Sequence, residues 1–206
     1  MRIVDISMSV HAAMPVYPGD PPYASEPVCS FESGGDCEVS RISMSTHCGT
    51  HIDAPSHMIP HAETMGQVPL ERFFGPCSVV TLPCALITGS MIEALCPASC
   101  ERLLLRTDPT GCYRDRGELN PAAIDLDAAR FLVQRGIRLI GIDSLSIENM
   151  EQTGGRVHRM LLGAGVTILE GLDLRDAEQG MCCLCAFPLK LVGENGSPCR
   201  AVLLYE

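Results

Sequence analysis

Asp125-Leu-Asp-Ala-Ala-Arg-Phe-Leu-Val-Gln-Arg135-Gly-Ile-Arg138-Leu-Ile-Gly-Ile-Asp143 reads as a helix that closes and feeds a strand. Over residues 125–135 the apolar side chains recur at helical spacing. Acids occupy the first turn, basic Arg135 the last, and Gly136 stands where the helix closes. Residues 138–143 follow as a strand. This helix-to-strand step is the unit from which layered α/β domains are built. Moving towards the amino terminus, residues 102–106 and 78–82 read as buried strands, with a short helix at 91–95 between them. Moving the other way, a helix at 157–162 precedes a strand at 166–169. Residues 2–7 alternate as a short strand. Residues 184–192 and 198–205 flank Gly193-Glu-Asn-Gly-Ser197, whose Asn-Gly step signals a closing hairpin. Residues 108–120 read as a surface loop. No linker is long enough to separate domains, so residues 1–206 are expected to form one α/β domain.

Composition excludes several function classes. With 25 acidic against 15 basic residues the formal charge is −10, which repels nucleic acid and anionic lipid. No tryptophan and 4% aromatics leave few platforms on which bases could stack. Asp5 falls where a signal peptide has its apolar run, and no apolar stretch approaches membrane-spanning length, so a cytoplasmic protein is expected. The twelve cysteines then read as reduced, packed thiols rather than a disulfide framework. Cys182-Cys183-Leu-Cys185 has no CxxC partner elsewhere and reads as strand packing.

Chemistry concentrates in Ser45-Thr-His-Cys-Gly-Thr-His-Ile-Asp-Ala-Pro-Ser-His57, which holds three of the six histidines. His47, His51, Asp53 and His57 supply the imidazole and carboxylate donors that zinc or manganese accept. Structural zinc, by contrast, usually recruits paired thiolates. Residues 38–46 alternate as a strand expected to deliver this cluster at its carboxyl end, and Gly49 permits a sharp turn between the first two histidines. Met14-Pro-Val-Tyr-Pro-Gly-Asp20 is a rigid turn able to hold Tyr17 in one orientation. Asp143 and Ser144 either line a pocket or cap the next turn. Glu148, Glu151 and Asp173 read as solvated charges, His11 and His61 lie outside the pattern, and Cys48 is not spaced as a ligand.

The pattern His-x-Gly-Thr-His-x-Asp-x-Pro-x-His at 47–57, followed by His158 and Glu170 in Val157-His-Arg-Met-Leu-Leu-Gly-Ala-Gly-Val-Thr-Ile-Leu-Glu170, resembles the signature of the cyclase family of metal-dependent hydrolases, which includes bacterial kynurenine formamidases and isatin hydrolases. The resemblance extends through the turn at 14–20, Gly141-Ile-Asp-Ser-Leu-Ser146 and the terminal hairpin. It implies a mixed sheet or barrel-like β core with helices packed outside, of the swivelling β/β/α kind, assembling as a homodimer or homotetramer. It further implies that His47, His51 and Asp53 bind one metal, that His158 and Glu170 complete a second site with Asp53 bridging, and that His57 is a ligand or proton shuttle. Two zinc or manganese ions per subunit would activate water to attack an amide carbon, His57 would pass a proton to the departing nitrogen, and Tyr17 would contact substrate. The expected reaction is arylformamidase-like, N-formylkynurenine giving kynurenine and formate. The alternatives are a cyclic amide or imide hydrolase of the isatin kind, another hydrolase of the family with a different small substrate and, outside enzymes, a metal-binding protein without turnover.

Overall fold

The computed structural model describes residues 1–206, the side chain of Arg114 apart. The strands are β1 (Arg2–Asp5), β2 (Ala24–Cys29), β3 (Val39–Ser43), β4 (His51–Asp53), β5 (Phe74–Thr81), β6 (Leu86–Ile87), β7 (Arg102–Arg106), β8 (Ala123–Ile124), β9 (Leu139–Ile142), β10 (Thr167–Glu170), β11 (Gly180–Cys185), β12 (Gly196–Pro198) and β13 (Val202–Tyr205). The α-helices are α1 (Gly89–Leu95), α2 (Cys112–Asp115), α3 (Leu126–Arg135), α4 (Met150–Thr153) and α5 (Arg156–Gly163).

Among the described residues nine strands form one sheet in the order β1-β13-β11-β5-β7-β9-β10-β4-β12. The middle strands β5, β7, β9 and β10 are parallel, because α1, α3 and α5 each carry the chain back between consecutive members. Every other neighbour in the sheet is antiparallel. Side chains alternate across it. Val80, Leu103, Leu105, Ile140, Ile142 and Ile168 join Leu132, Val157 and Leu161 of the helices in one core. Val79, Leu104, Leu139 and Leu169 join Ile52, Leu184 and Leu203 in a second core, inside the curl of the half-barrel sheet. Burial on both faces explains why the central strands read as unbroken apolar runs. Each such side chain stabilises the fold by about 1.5–3 kcal/mol.

Helix α3 begins where its sequence says. The Asp125 side chain accepts a hydrogen bond from the Ala128 N–H at 2.7 Å, and Gly136 closes the helix at φ 77°. Three expectations are corrected. Within residues 38–46 only β3 is a strand, and it pairs with β2 in a separate, solvent-exposed ribbon instead of carrying the histidines into the sheet. Alternation alone does not say which partner a strand finds. At the carboxyl end β11 and β13 do pair antiparallel, and the Pro188–Cys199 bridge continues the hairpin in the same register, but the strand stops at Cys185 and the connection is residues 189–198 rather than a tight Asn-Gly turn. Residues 193–197 run into β12, which pairs with β4 at the opposite edge of the sheet. Residues 108–120 contain α2, whose first N–H groups at Cys112 and Tyr113 donate to the Asp108 carboxylate. The twelve cysteines are free among the described residues. No helix there is long and apolar enough to cross a membrane.

Candidate metal centre

Strand β4 is three residues long and fully buried. Its period of two turns Ile52 into the inner core and sends His51 and Asp53 together to the other side. Antiparallel pairing with β10 sets Glu170 opposite His51 and Ile168 opposite Asp53. Helix α5 brings His158 to the same point. Gly171, at φ +65°, makes the approach possible, because a Cβ there would lie 2.2 Å from the Gly49 carbonyl oxygen. Thr50 Oγ1 donates to the Gly171 carbonyl across this contact at 2.6 Å. His47 arrives on the turn before β4, and His57 on the Pro55–His57 turn after it.

All six predicted donors therefore meet. His51 Nε2 lies 3.3 Å from Glu170 Oε2 and 3.5 Å from Asp53 Oδ1. His158 Nε2 lies 3.2 Å from Glu170 Oε1 and 3.6 Å from Asp53 Oδ2. His47 Nδ1 is 2.9 Å from Asp53 Oδ1, and the His47 and His57 ring centres are 4.1 Å apart. His51, Asp53, His158 and Glu170 are buried, whereas His47 and His57 are partly open.

Hydrogen bonds decide what the buried imidazoles can do. His51 Nδ1 is 2.9 Å from the Gly49 carbonyl, which can only accept, so Nδ1 carries the proton and Nε2 presents a lone pair. His158 Nδ1 is likewise 2.5 Å from Glu148 Oε1. Both Nε2 atoms then face carboxylate oxygens, lone pair against lone pair, an arrangement that repels unless positive charge lies between them. His51 Nε2 and Asp53 Oδ2 are buried without a hydrogen-bond partner among the described residues. Two sets of ligand atoms, His47–Asp53–His57 and His51–Asp53–Glu170, each lie within 4.8 Å of one another and share Asp53. This donor set fits divalent cations. Protons are the other possible charge. Burial pushes His158 down, but Glu148 and Glu170 raise it to about 10. Burial likewise opposes, and Glu170 with Asp53 raises, His51 to about 8. For His57 burial dominates and lowers its pKa, keeping the ring neutral and able to accept a proton.

A cavity of about 170 Å3 opens beside these groups, lined by Tyr17, His57, Met58, Leu145 and Met150 among others. The Tyr17 turn is held by the Asp20 N–H donating to the Tyr17 carbonyl at 3.0 Å. Burial, then Glu170 and Glu148, raise the Tyr17 phenol above its usual pKa, so it remains a donor.

Two residues of the site escaped the sequence reading. Glu148 is 2% exposed, not solvated, and besides His158 Nδ1 it accepts from the His158 N–H at 3.0 Å and from Thr153 Oγ1. Burial pushes its carboxyl up, yet the His158 and Thr153 hydrogen bonds pull it to about 2. Asn195, read as part of a turn, reaches His47 Nε2 at 3.0 Å. Neither carried a spacing signal, since each is joined to its histidine only by tertiary structure. Asp143 and Ser144 line neighbouring cavities and tie distant loops together: Asp143 accepts from the Thr107 and Asp108 N–H groups, and Ser144 Oγ donates to the Asn120 carbonyl. Asp173 pairs with Arg175 at 2.8 Å, Glu151 is exposed, and so are His11 and His61. Cys48 packs against Met14.

Known proteins share the sequence and the fold. The family model described as putative cyclase matches residues 4–149. A kynurenine formamidase of Paracidovorax citrulli is 37% identical over 208 residues, covering 97% of this chain and 94% of the relative. A solved structure of a potential metal-dependent hydrolase with cyclase activity superposes with TM-score 0.84 at 35% identity, over 98% of this chain and 96% of that one. Isatin hydrolase A from Labrenzia aggregata, bound to benzyl benzoate, superposes with TM-score 0.87 at 26% identity, over 100% and 94%. With His47, His51, Asp53 and His57 inside the matched segment, and likeness running from end to end in both sequence and backbone, the chain belongs to the cyclase family of metal-dependent hydrolases.

Proposed function

We propose that this protein, acting as one domain over 1–206, is a metal-dependent amidohydrolase of the arylformamidase kind, cleaving N-formylkynurenine or a close aryl formamide. The observation that carries the reading is the buried pair of imidazole Nε2 lone pairs aimed at carboxylates, with Asp53 common to both donor sets. His47, His51 and Asp53 would hold one cation, zinc or manganese, and Asp53, His158 and Glu170 a second, with His57 adjacent as ligand or proton shuttle. When bound, a divalent cation supplies Lewis acidity and makes water acidic enough to ionise near neutral pH.

The remaining work falls to the chain. Neutral His57, at the open rim, accepts a proton and delivers it to the departing nitrogen. Tyr17, Leu145 and Met150 hold the aryl group and exclude water around it. Glu148 keeps the His158 ring in one tautomer. The likeness to an isatin hydrolase supports the second reading, opening of a cyclic amide.

Assays of the zinc- and manganese-loaded protein against N-formylkynurenine, isatin and a simple lactone discriminate. The highest kcat/KM is expected for N-formylkynurenine. Preference for isatin would favour the cyclic amide, and tight metal binding without turnover would return the non-catalytic reading. We further infer a cytoplasmic enzyme, supported by its free thiols, that assembles as a homodimer or homotetramer. The β2–β3 ribbon leaves Val28, Phe31, Val39 and Ile42 exposed, apolar surface of the kind copies could cover. Light scattering after gel filtration tests the assembly.

A further inference from the structure

We propose that Asn195 and Gly196 form a clamp that fixes His47 as the Nε2–H tautomer, leaving Nδ1 as the nitrogen His47 offers to a cation shared with Asp53. This rests on the reading of the centre as a metal site and adds a positioning residue to it. His47 differs from the buried imidazoles. His51 and His158 each place Nδ1 on a backbone or carboxylate acceptor and turn Nε2 inward. His47 does the reverse, with Nε2 3.0 Å from Asn195 Oδ1 and Nδ1 2.9 Å from Asp53 Oδ1.

Which atom of Asn195 faces the ring follows from the metal reading. With a cation between Nδ1 and Asp53, the His47 proton must sit on Nε2, and the acceptor 3.0 Å from it is then Asn195 Oδ1, whose other side the Thr46 hydroxyl meets at 2.9 Å, free to donate to it. The Nδ1 lone pair then faces Asp53 Oδ1 at 2.9 Å, a contact that calls for the shared cation between them.

The backbone holds the clamp at that distance. The Ala54 N–H donates to the Asn195 carbonyl at 2.9 Å, and the Met65 N–H to the Glu194 carbonyl at 2.8 Å. In the pairing of β12 with β4, Gly196 sits opposite Asp53, so one strand pair sets both partners of the His47 ring. Gly196 must lack a side chain, since a Cβ there would lie 2.7 Å from His47 Cε1 and 2.9 Å from Nε2. The Asn-Gly step that suggests a hairpin turn therefore serves the ring of a histidine about 150 positions earlier, and it gives the β12–β4 pairing a chemical purpose.

The test is 15N NMR of histidine-labelled protein with and without zinc, combined with zinc competition against a chromogenic chelator. In the wild type the His47 correlations should report a proton on Nε2 and zinc on Nδ1. Asn195→Leu should mix the tautomers and weaken one zinc by about 10- to 100-fold, the usual cost of losing a partner behind a metal ligand. Asn195→Asp, which keeps an acceptor, should restore both the signature and the affinity. Thr46→Val, which frees the amide to rotate, should fall between. A wild-type proton on Nδ1 would overturn the clamp, and so would Asn195→Leu protein that binds both zinc ions as the wild type does. A wild type that binds no zinc would overturn the metal reading and the clamp with it.

Discussion

The centre has two halves built to different standards. His51, Asp53, His158 and Glu170 lie on β4, β10 and α5, are at most 4% exposed, and answer to backbone pairing and to Glu148. His47 and His57 lie on the turns either side of β4, are partly open, and face the cavity. The buried half has little freedom, because moving any of its side chains would break sheet register or strand a buried charge. The open half can reach substrate, because turns at a strand end cost little to expose. Rigid acids and imidazoles thus sit behind, and the proton transfer proposed for His57 would take place in front.

The sharpest way to break this division is at Asp53, the one side chain in both donor sets. Asp53→Asn should lose metal by elemental analysis and lower kcat/KM by about 10^3-fold or more, since Lewis acidity is worth several kcal/mol. Full metal occupancy in this variant would refute the bridging carboxylate. In the open half, His57→Ala should keep metal while kcat falls by about 10^2-fold or more. Parallel loss of metal would move His57 from proton carrier to ligand.

Glu148 tests whether the buried half depends on support from behind. Glu148→Gln should weaken metal by about 10- to 100-fold. Its sign with pH can be worked out for chelator-treated protein. Glu148, drawn from 4.5 to about 2, contributes stability present above 4.5 and lost as pH falls towards 2. His158, drawn from 6.5 to about 10, contributes stability present below 6.5 and lost as pH rises towards 10. The pair is therefore worth most between 4.5 and 6.5, and the Tm deficit of Glu148→Gln should peak there. A deficit independent of pH would mean that packing, not charge, is what the variant loses. The smallest effect belongs at the cavity mouth. Tyr17→Phe should raise KM about fivefold with kcat unchanged, the worth of one hydrogen bond of about 1 kcal/mol. A fall in kcat instead would place the phenol in the chemistry.

Much of the fold was legible because its signals are local. Asp125 and Gly136 mark the ends of α3 by requirements that act within a few residues. The strands at 78–82, 102–106 and 138–143 announce themselves as apolar because both sheet faces are covered. The six candidate donors were legible for a similar reason, since four fall within eleven positions and the signature couples them to His158 and Glu170. Pairing was legible only in the terminal hairpin, where residues 184–185 meet 202–203. Residues 38–46 alternate as well as any strand, yet β3 found an exposed ribbon. Residues 193–197 carry turn chemistry, yet they lead into a strand at the far edge of the sheet.

By itself, then, the chain's order of residues determined an α/β domain, its main helix and central strands, and a set of imidazoles and acids chosen for divalent cations. Tertiary structure alone decided which nitrogen His158 and His47 turn inward, because that depends on acceptors at Glu148 and Asn195, whereas His51 is set locally by Gly49 two residues before it. A tautomer is set by a partner within 3 Å, and only folding brings such partners together across ten or more than a hundred residues of chain.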